Sequence, residues 1–190
     1  MEFLKLTDNR LVDLLKHGGV GVLPTDTVYG LVCDASNAEA VARLYQLKSR
    51  EQKPGTLIAA TPEQVIALGI AQDEVRHAAQ FWPGVSVVMS SSESLTYLHQ
   101  GLGTLAVRIV AHQELETLLQ KTGPLLTSSA NFPGKPPANT LNEAQAYFGN
   151  TVDFYVDGGD LSGRQSSTLI RVVDGVPEVL RQGSISSFRA

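Results

Sequence analysis

Residues 22–32 read "VLPTDTVYGLV". An apolar run ends at Pro24, gives way to Thr25-Asp26-Thr27, and resumes from Val28 to Val32. A plain connector between two buried segments is expected to use Gly, Asn or Ser. Here three consecutive positions carry two hydroxyls and a carboxylate. Two readings stand side by side: a strand-end turn that satisfies its own backbone, or a set of polar groups presented to a ligand.

Outward from this stretch the pattern alternates. "VGVL" (20–23) reads as a buried strand. Before it, Thr7 reads as the cap of a helix with Leu11, Leu14 and Leu15 at helical spacing, stopped by Gly18 and Gly19. Asn37 reads as the N-cap of "AEAVARLYQLK", with Ala40, Val41, Leu44 and Leu47 on one face. "KSREQKPG" (48–55) is a charged loop and "TLIAA" (56–60) a strand. Thr61-Pro62-Glu63-Gln64 carries a capping-box start, and a further helix over 73–81 ends at Trp82-Pro83-Gly84. "VSVVM" and "TLAVRIV" read as strands separated by a Ser-rich loop (90–94) and a Gly-rich one (101–103). A short helix over 112–120 leads into "PLLTSSAN". Thr140 to Glu143 is a second capping box, "VDFYVD" a strand, and "STLIRVVDGVPEVL" a hairpin turning at Asp174-Gly175. The reading is one α/β domain over residues 1–190, a twisted, open, mixed sheet with packed helices.

The bulk numbers narrow the function classes. The chain has 190 residues, 43% apolar and 18% charged, with a net charge of −4. Such a composition suits a packed core rather than a disordered tail. A protein binding nucleic acid by blanket electrostatics is usually basic, so any anion site must come from local clustering of the 15 Lys and Arg. The single cysteine, Cys33, allows no intrachain disulfide, and no leader-like segment opens the chain. No stretch approaches the roughly 20 apolar residues of a membrane span. A cytoplasmic location, away from any membrane, is the expectation.

Four polar clusters stand at the ends of the expected strands, where α/β folds place ligands. Thr25-Asp26-Thr27 is the first. Lys48-Ser49-Arg50, with Lys53 behind it, is the second; the cations serve a helix end or a polyphosphate. "TSSAN" (127–131) is the third, capping a turn or binding a phosphate or base edge. "GGDLSGRQSST" (158–168), with Arg164, is the fourth. Arg108 and Arg181 lie in or after strands, facing either water or a ligand. There is no P-loop and no dinucleotide fingerprint. His17, His77, His99 and His112 show no ligand spacing and read as surface or capping residues.

Taken in order, "PTDTVYGL", "LKSR", "WPG", "LAVR", "SAN", "STLI" and "LRQG" resemble the YrdC family from about Gly19 to Gly183. The resemblance implies a single-domain YrdC-like fold with a concave basic face. It implies an enzyme, a nucleotidyltransferase that makes threonylcarbamoyl-AMP and pyrophosphate from L-threonine, bicarbonate or CO2, and ATP. Downstream transfer proteins then carry the threonylcarbamoyl group to an adenosine in tRNA, with direct tRNA contact by this chain a further expectation. By the same resemblance Lys48 and Arg50 are catalytic and face ATP with Thr104, Ser129, Asn131 and Arg181. Thr27, Arg108 and Ser167 face threonine. Mg²⁺ is expected to arrive with the triphosphate, with no protein ligand assigned. Val32 and Gly55 depart from the family pattern. An RNA-binding module and an ATP sensor on the same fold are the competing readings.

Overall fold

The computed structural model describes residues 1–49 and 53–185. Its strands are β1 (Glu2–Leu4), β2 (Gly21–Pro24), β3 (Tyr29–Asp34), β4 (Thr56–Ala59), β5 (Ser86–Ser90), β6 (Thr104–Ile109), β7 (Leu125–Ser129), β8 (Phe154–Val156), β9 (Leu169–Val173) and β10 (Val176–Arg181). The helices are α1 (Asn9–Lys16), α2 (Ala38–Leu47), α3 (Pro62–Leu68), α4 (Gln72–Ala79), α5 (Thr96–His99), α6 (Gln113–Thr122) and α7 (Leu141–Phe148). All ten strands join one mixed sheet in the order β1-β8-β2-β3-β7-β4-β6-β5-β9-β10.

The opening stretch supplies the third and fourth strands of this sheet. β2 and β3 pair antiparallel from Gly21↔Val32 to Pro24↔Tyr29, so Thr25–Val28 is the loop of a hairpin. β3 then pairs with β7, placing Gly30 opposite Ser129 and Val32 opposite Thr127. Close approach explains two glycines. A Cβ on Gly30 would run into Thr127 Oγ1, and one on Gly55 would stand 2.6 Å from Thr127 O. Gly55 is therefore fixed by the neighbouring strand, and Val32 is fully buried.

Side chains alternate across the strands and divide the core in two. Tyr29, Leu31, Cys33, Leu57 and Val107 belong to the larger cluster, with apolar side chains from α2, α3, α4, α5 and α7. Val32, Ile58 and Leu125 point the other way, into a smaller cluster with Leu11 and Leu15 of α1 and Leu115, Leu118 and Leu119 of α6. That second face changes character along its strands. Beyond Leu125 on β7 come Thr127 and Ser129; Ile58 on β4 stands opposite Arg108 on β6. Outside the smaller apolar cluster, this face of the sheet turns polar.

Several local readings are corrected by the geometry. The cap of α1 is Asp8, not Thr7; Asp8 Oδ2 accepts from Lys5 N, 2.7 Å away. Asn37 caps α2 as read, accepting from Glu39 N and Ala40 N. Gln64 accepts from Ala60 N instead of closing a box on Thr61, and donates to Leu119 O, tying α3 to α6. Thr140 accepts from Glu143 N, while Glu143 accepts from Asn139 N. β1 and α5 were not read from the sequence. His112 caps α6. Of the surface and capping readings of His99, the surface one fails: it is buried, Nδ1 accepts from Gly103 N and Nε2 bonds Ser92 O, bracing the loop before β6. Asp174 and Gly175 both have positive φ, as a two-residue hairpin turn requires.

Candidate active site

The polar end of the sheet face holds two adjoining chambers. The inner one has a volume of about 130 Å³ and includes Thr25, Thr27, Thr56, Arg108, Ser167 and Arg181 in its wall. The outer one, about 530 Å³, is lined by Lys48, Ser49, Lys53, Asn131, Pro133 and Gly134. Ser129 belongs to both. The inner volume is below the roughly 300–1,000 Å³ of pockets for drug-sized ligands, and the outer volume falls within it. A small ligand fits within, and a larger one outside it.

Arg108 sets the electrostatics of the inner chamber. β6 carries it on the same face as Thr104 and Ala106. Its NH2 donates to Asp26 Oδ1 at 2.8 Å, and both side chains are at most 4% exposed. Asp26 Oδ2 also accepts from Ala111 N. This answers why the turn is charged: Asp26 neutralises a guanidinium that the sheet buries. NH1 reaches Ser86 Oγ only at 3.4 Å, and Nε is buried with no hydrogen-bond partner. An orphaned buried donor costs roughly 1–3 kcal/mol, recovered when an acceptor arrives. A carboxylate supplies acceptors of the right charge and planarity.

The hydroxyls around it are held by one another. Thr25 Oγ1 donates to Val28 O and lies 3.1 Å from Thr27 Oγ1. Ser167 Oγ is 2.8 Å from Ser86 Oγ, and Arg181 NH2 donates to Ser167 O at 2.9 Å. Tyr29 sits between the hairpin and the loop that returns Ser167. Its hydroxyl donates to Gly159 O and accepts from Gly158 N. Burial pushes its pKa up, more than the Gly158 N–H pulls it down. Burial likewise raises the Cys33 thiol far above its ordinary value, with Asp34 adding to it, so this sulfur is no ready nucleophile.

The outer chamber rests on Lys48, which is 3% exposed. Its Nζ donates to Ser129 O at 2.7 Å, Asn131 O at 2.5 Å and Asn131 Oδ1 at 2.8 Å. Ser129 Oγ also donates to Asn131 Oδ1, at 2.7 Å. Residues 81 positions apart thus converge on one knot. Asn131 Nδ2 extends it to Lys135 O, across the turn Phe132-Pro133-Gly134-Lys135.

The structure therefore brings together Thr27, Arg108, Ser167, Arg181 and Ser129 around one chamber, and Lys48, Ser129 and Asn131 around the next. Thr104 lines neither; it lies on the same face of β6 as Arg108, about 13 Å further along at a strand's rise per residue. Arg50 lies outside the described residues. Asp26 as the partner of Arg108, and Thr25, Tyr29, Ser86 and Thr127 as wall or support, were not assigned from sequence. Ser86 did carry a signal: it is a hydroxyl within an apolar strand.

A sheet with helices on both faces and a two-chambered polar cleft on one of them defines a class of α/β proteins with a small-ligand site. The family model for Sua5, YciO and YrdC proteins, described as "Telomere recombination", matches residues 13–183, and the chain belongs to that family. It is similar to the threonylcarbamoyl-AMP synthase of Halorhodospira halophila, 36% identical over 163 residues, covering 83% of this chain and 85% of the relative. It is also similar to that of Coxiella burnetii (strain RSA 493), 38% identical over 156 residues, covering 79% and 84%. Among solved structures it resembles P. abyssi Sua5 complexed with L-threonine, with a TM-score of 0.80 and 29% identity. That match covers 92% of this chain and 53% of the other, so the chain spans about half the length of that Sua5 protein. Among the described residues, no helix is long and apolar enough to cross a membrane.

Proposed function

We propose that this chain is a threonylcarbamoyl-AMP synthase acting on L-threonine, bicarbonate or CO2, and ATP. The observation that carries the reading is Arg108: a buried guanidinium, neutralised by Asp26, that stands in the wall of a chamber sized for a small ligand and keeps an Nε–H without a hydrogen-bond partner. The names of the relatives and the threonine bound to the Sua5 structure support the same ligand class.

In this reading the threonine carboxylate accepts from Arg108, while Thr27 and Ser167 hydrogen-bond the rest of the amino acid. The amine attacks the carbon of CO2 or bicarbonate; the N–C bond forms, and a proton (with bicarbonate, water) is lost. The resulting carbamate oxygen attacks the α-phosphate of ATP, and the bond to the β-phosphate breaks to release pyrophosphate. The triphosphate occupies the outer chamber, where Lys48 and Lys53 offset its charge and the Ser129–Asn131 knot fixes its position. The family resemblance assigns Arg50, Thr104 and Arg181 to the same ATP; of these Arg181 stands in the wall of the inner chamber, and Thr104 lines neither chamber. Positioning and charge neutralisation supply the catalysis, with no covalent enzyme intermediate. Among the described residues, no three His, Cys, Asp or Glu side chains cluster as a metal site. In this reading Mg²⁺ arrives with the triphosphate and is written as part of the MgATP substrate. The product is an activated carbamoyl donor for tRNA modification by transfer proteins, in the cytoplasm.

The test is incubation with MgATP, bicarbonate and each amino acid in turn, scoring pyrophosphate and the mass of the adenylate. Threonine-dependent release is expected. ATP binding without release would favour the sensor reading. Steeply salt-dependent RNA binding without turnover would favour the RNA-binding module.

A further inference from the structure

The hydrogen bonds of Thr25 lead one step beyond the synthase reading and rest on it. Thr25 Oγ1 lies 2.7 Å from Val28 O, 3.2 Å from Thr27 N and 3.1 Å from Thr27 Oγ1. A carbonyl oxygen only accepts, so the single hydroxyl proton of Thr25 is directed at Val28 O. A backbone N–H only donates, so Thr25 Oγ1 accepts from Thr27 N. One polarity is left for the third contact: Thr27 Oγ1 donates and Thr25 Oγ1 accepts. Both residues are buried, at 4% and 7% exposure, and both line the inner chamber. Thr27 Oγ1 therefore turns lone pairs, and no proton, toward the ligand.

We propose that Thr25 is a positioning residue that locks Thr27 as an acceptor for the N–H of the substrate amine. The chemistry demands that polarity. The amine reacts through its lone pair, and a freely rotating hydroxyl would donate to that lone pair and mask it. An oxygen that can only accept binds an N–H and leaves the lone pair open to the incoming carbon. At the other end of the amino acid, Arg108 can only donate and takes the carboxylate. The two ends of the substrate are thus read by groups of opposite polarity, one of them imposed by Thr25.

Thr25→Val keeps the shape and removes the acceptor; Thr25→Ala is measured beside it in case the valine variant fails to fold. Loss of about tenfold or more in kcat/KM for threonine is expected in either, with KM for ATP within about twofold. Thr25→Ser is expected to restore kcat/KM to within about threefold. If Thr25 acts through Thr27, the Thr25→Val/Thr27→Val double variant is no worse than Thr27→Val alone; additive losses would overturn the proposal. So would a Thr25→Val enzyme with unchanged threonine kinetics. Calorimetry of L-threonine on the wild-type chain separates the two levels. No binding would sink the synthase reading and this inference together. Wild-type binding with no effect of the Thr25 variants would sink this inference alone.

Discussion

The Lys48 ammonium donates to three oxygens of the 129–131 segment, so its removal acts on stability as well as on the nucleotide. Lys48→Met strips a donor from each; Ser129 O keeps Asn131 N and Asn131 Oδ1 keeps Ser129 Oγ, so Asn131 O is the acceptor left unsatisfied, and a loss of about 1–3 kcal/mol is expected. Urea unfolding measures it; a wild-type midpoint would contradict the knot. Asp26→Ala is expected to be worse, at about 3–5 kcal/mol, because it strands a buried guanidinium. Thermal unfolding should show the loss, and a variant as stable as wild type would mean that Arg108 finds another counter-charge. At this scale the residue types at the site were legible in the sequence, but not their partners. Asp26 and Arg108 are 82 positions apart, and no local pattern joins them. Lys48 was read as facing phosphate, whereas its first partners are protein oxygens.

Among the elements, long periodic segments declared themselves, and two of the shortest, β1 and α5, did not. α2 has a cap and four apolar positions, so it stood out. β1 has three residues and exists through parallel pairing with β8, and α5 is a single turn completed by the bracing of His99. Elements so short draw their stability from tertiary contacts rather than propensity. The joint between α2 and β8 shows such a contact. Arg43 grips Asp153 through both carboxylate oxygens, and Val20 N donates to Oδ2. Burial alone would raise the pKa of Asp153, but Arg43 and the Val20 N–H outweigh it and hold it below its ordinary 3.8. Its contribution is present above that ordinary value and is lost as pH falls through the lowered one. The pair is 34–39% exposed, so solvent screening limits it to about 0.5–1 kcal/mol. Asp153→Asn should be destabilised by about that amount at pH 7, with the gap closing as pH falls below the folded value. A gap that persists in acid would point to packing instead. Gly183 tests the return of the loop: a Cβ there would run into Ser166 O and the backbone of 167–168. Gly183→Ala is expected to lose about 1–3 kcal/mol by overpacking and to displace Ser167 from the inner chamber. Unfolding and threonine affinity should move together, and an unchanged affinity would uncouple the loop from the site.

For the whole molecule, the sheet's order leaves β10 as an end strand, and among the described residues it pairs only with β9. Its apolar exposure looks hazardous: Val173, Val176, Val179 and Leu180 are 44–66% exposed. An open, flat, apolar edge invites another chain to add a strand. Three features oppose that. Val176 and Val173 flank the two-residue turn as a hydrogen-bonded pair, so the alternation of an antiparallel ladder turns the backbone of Pro177 outward, where it has no N–H to offer. Arg171 and Glu178 place a 2.6 Å ion pair on the solvent face of the same hairpin. The register then shifts between Val179 and Arg181, a bulge that bends the edge. Substituting Pro177→Val and Glu178→Val together restores the outward N–H and removes the charge, while the buried Ile170 of β9 is untouched. The double variant is expected to self-associate in sedimentation runs at concentrations where the wild-type chain shows no such shift. Identical sedimentation of the two proteins would mean that Pro177 and Glu178 do not guard this edge, leaving the bulge as its protection.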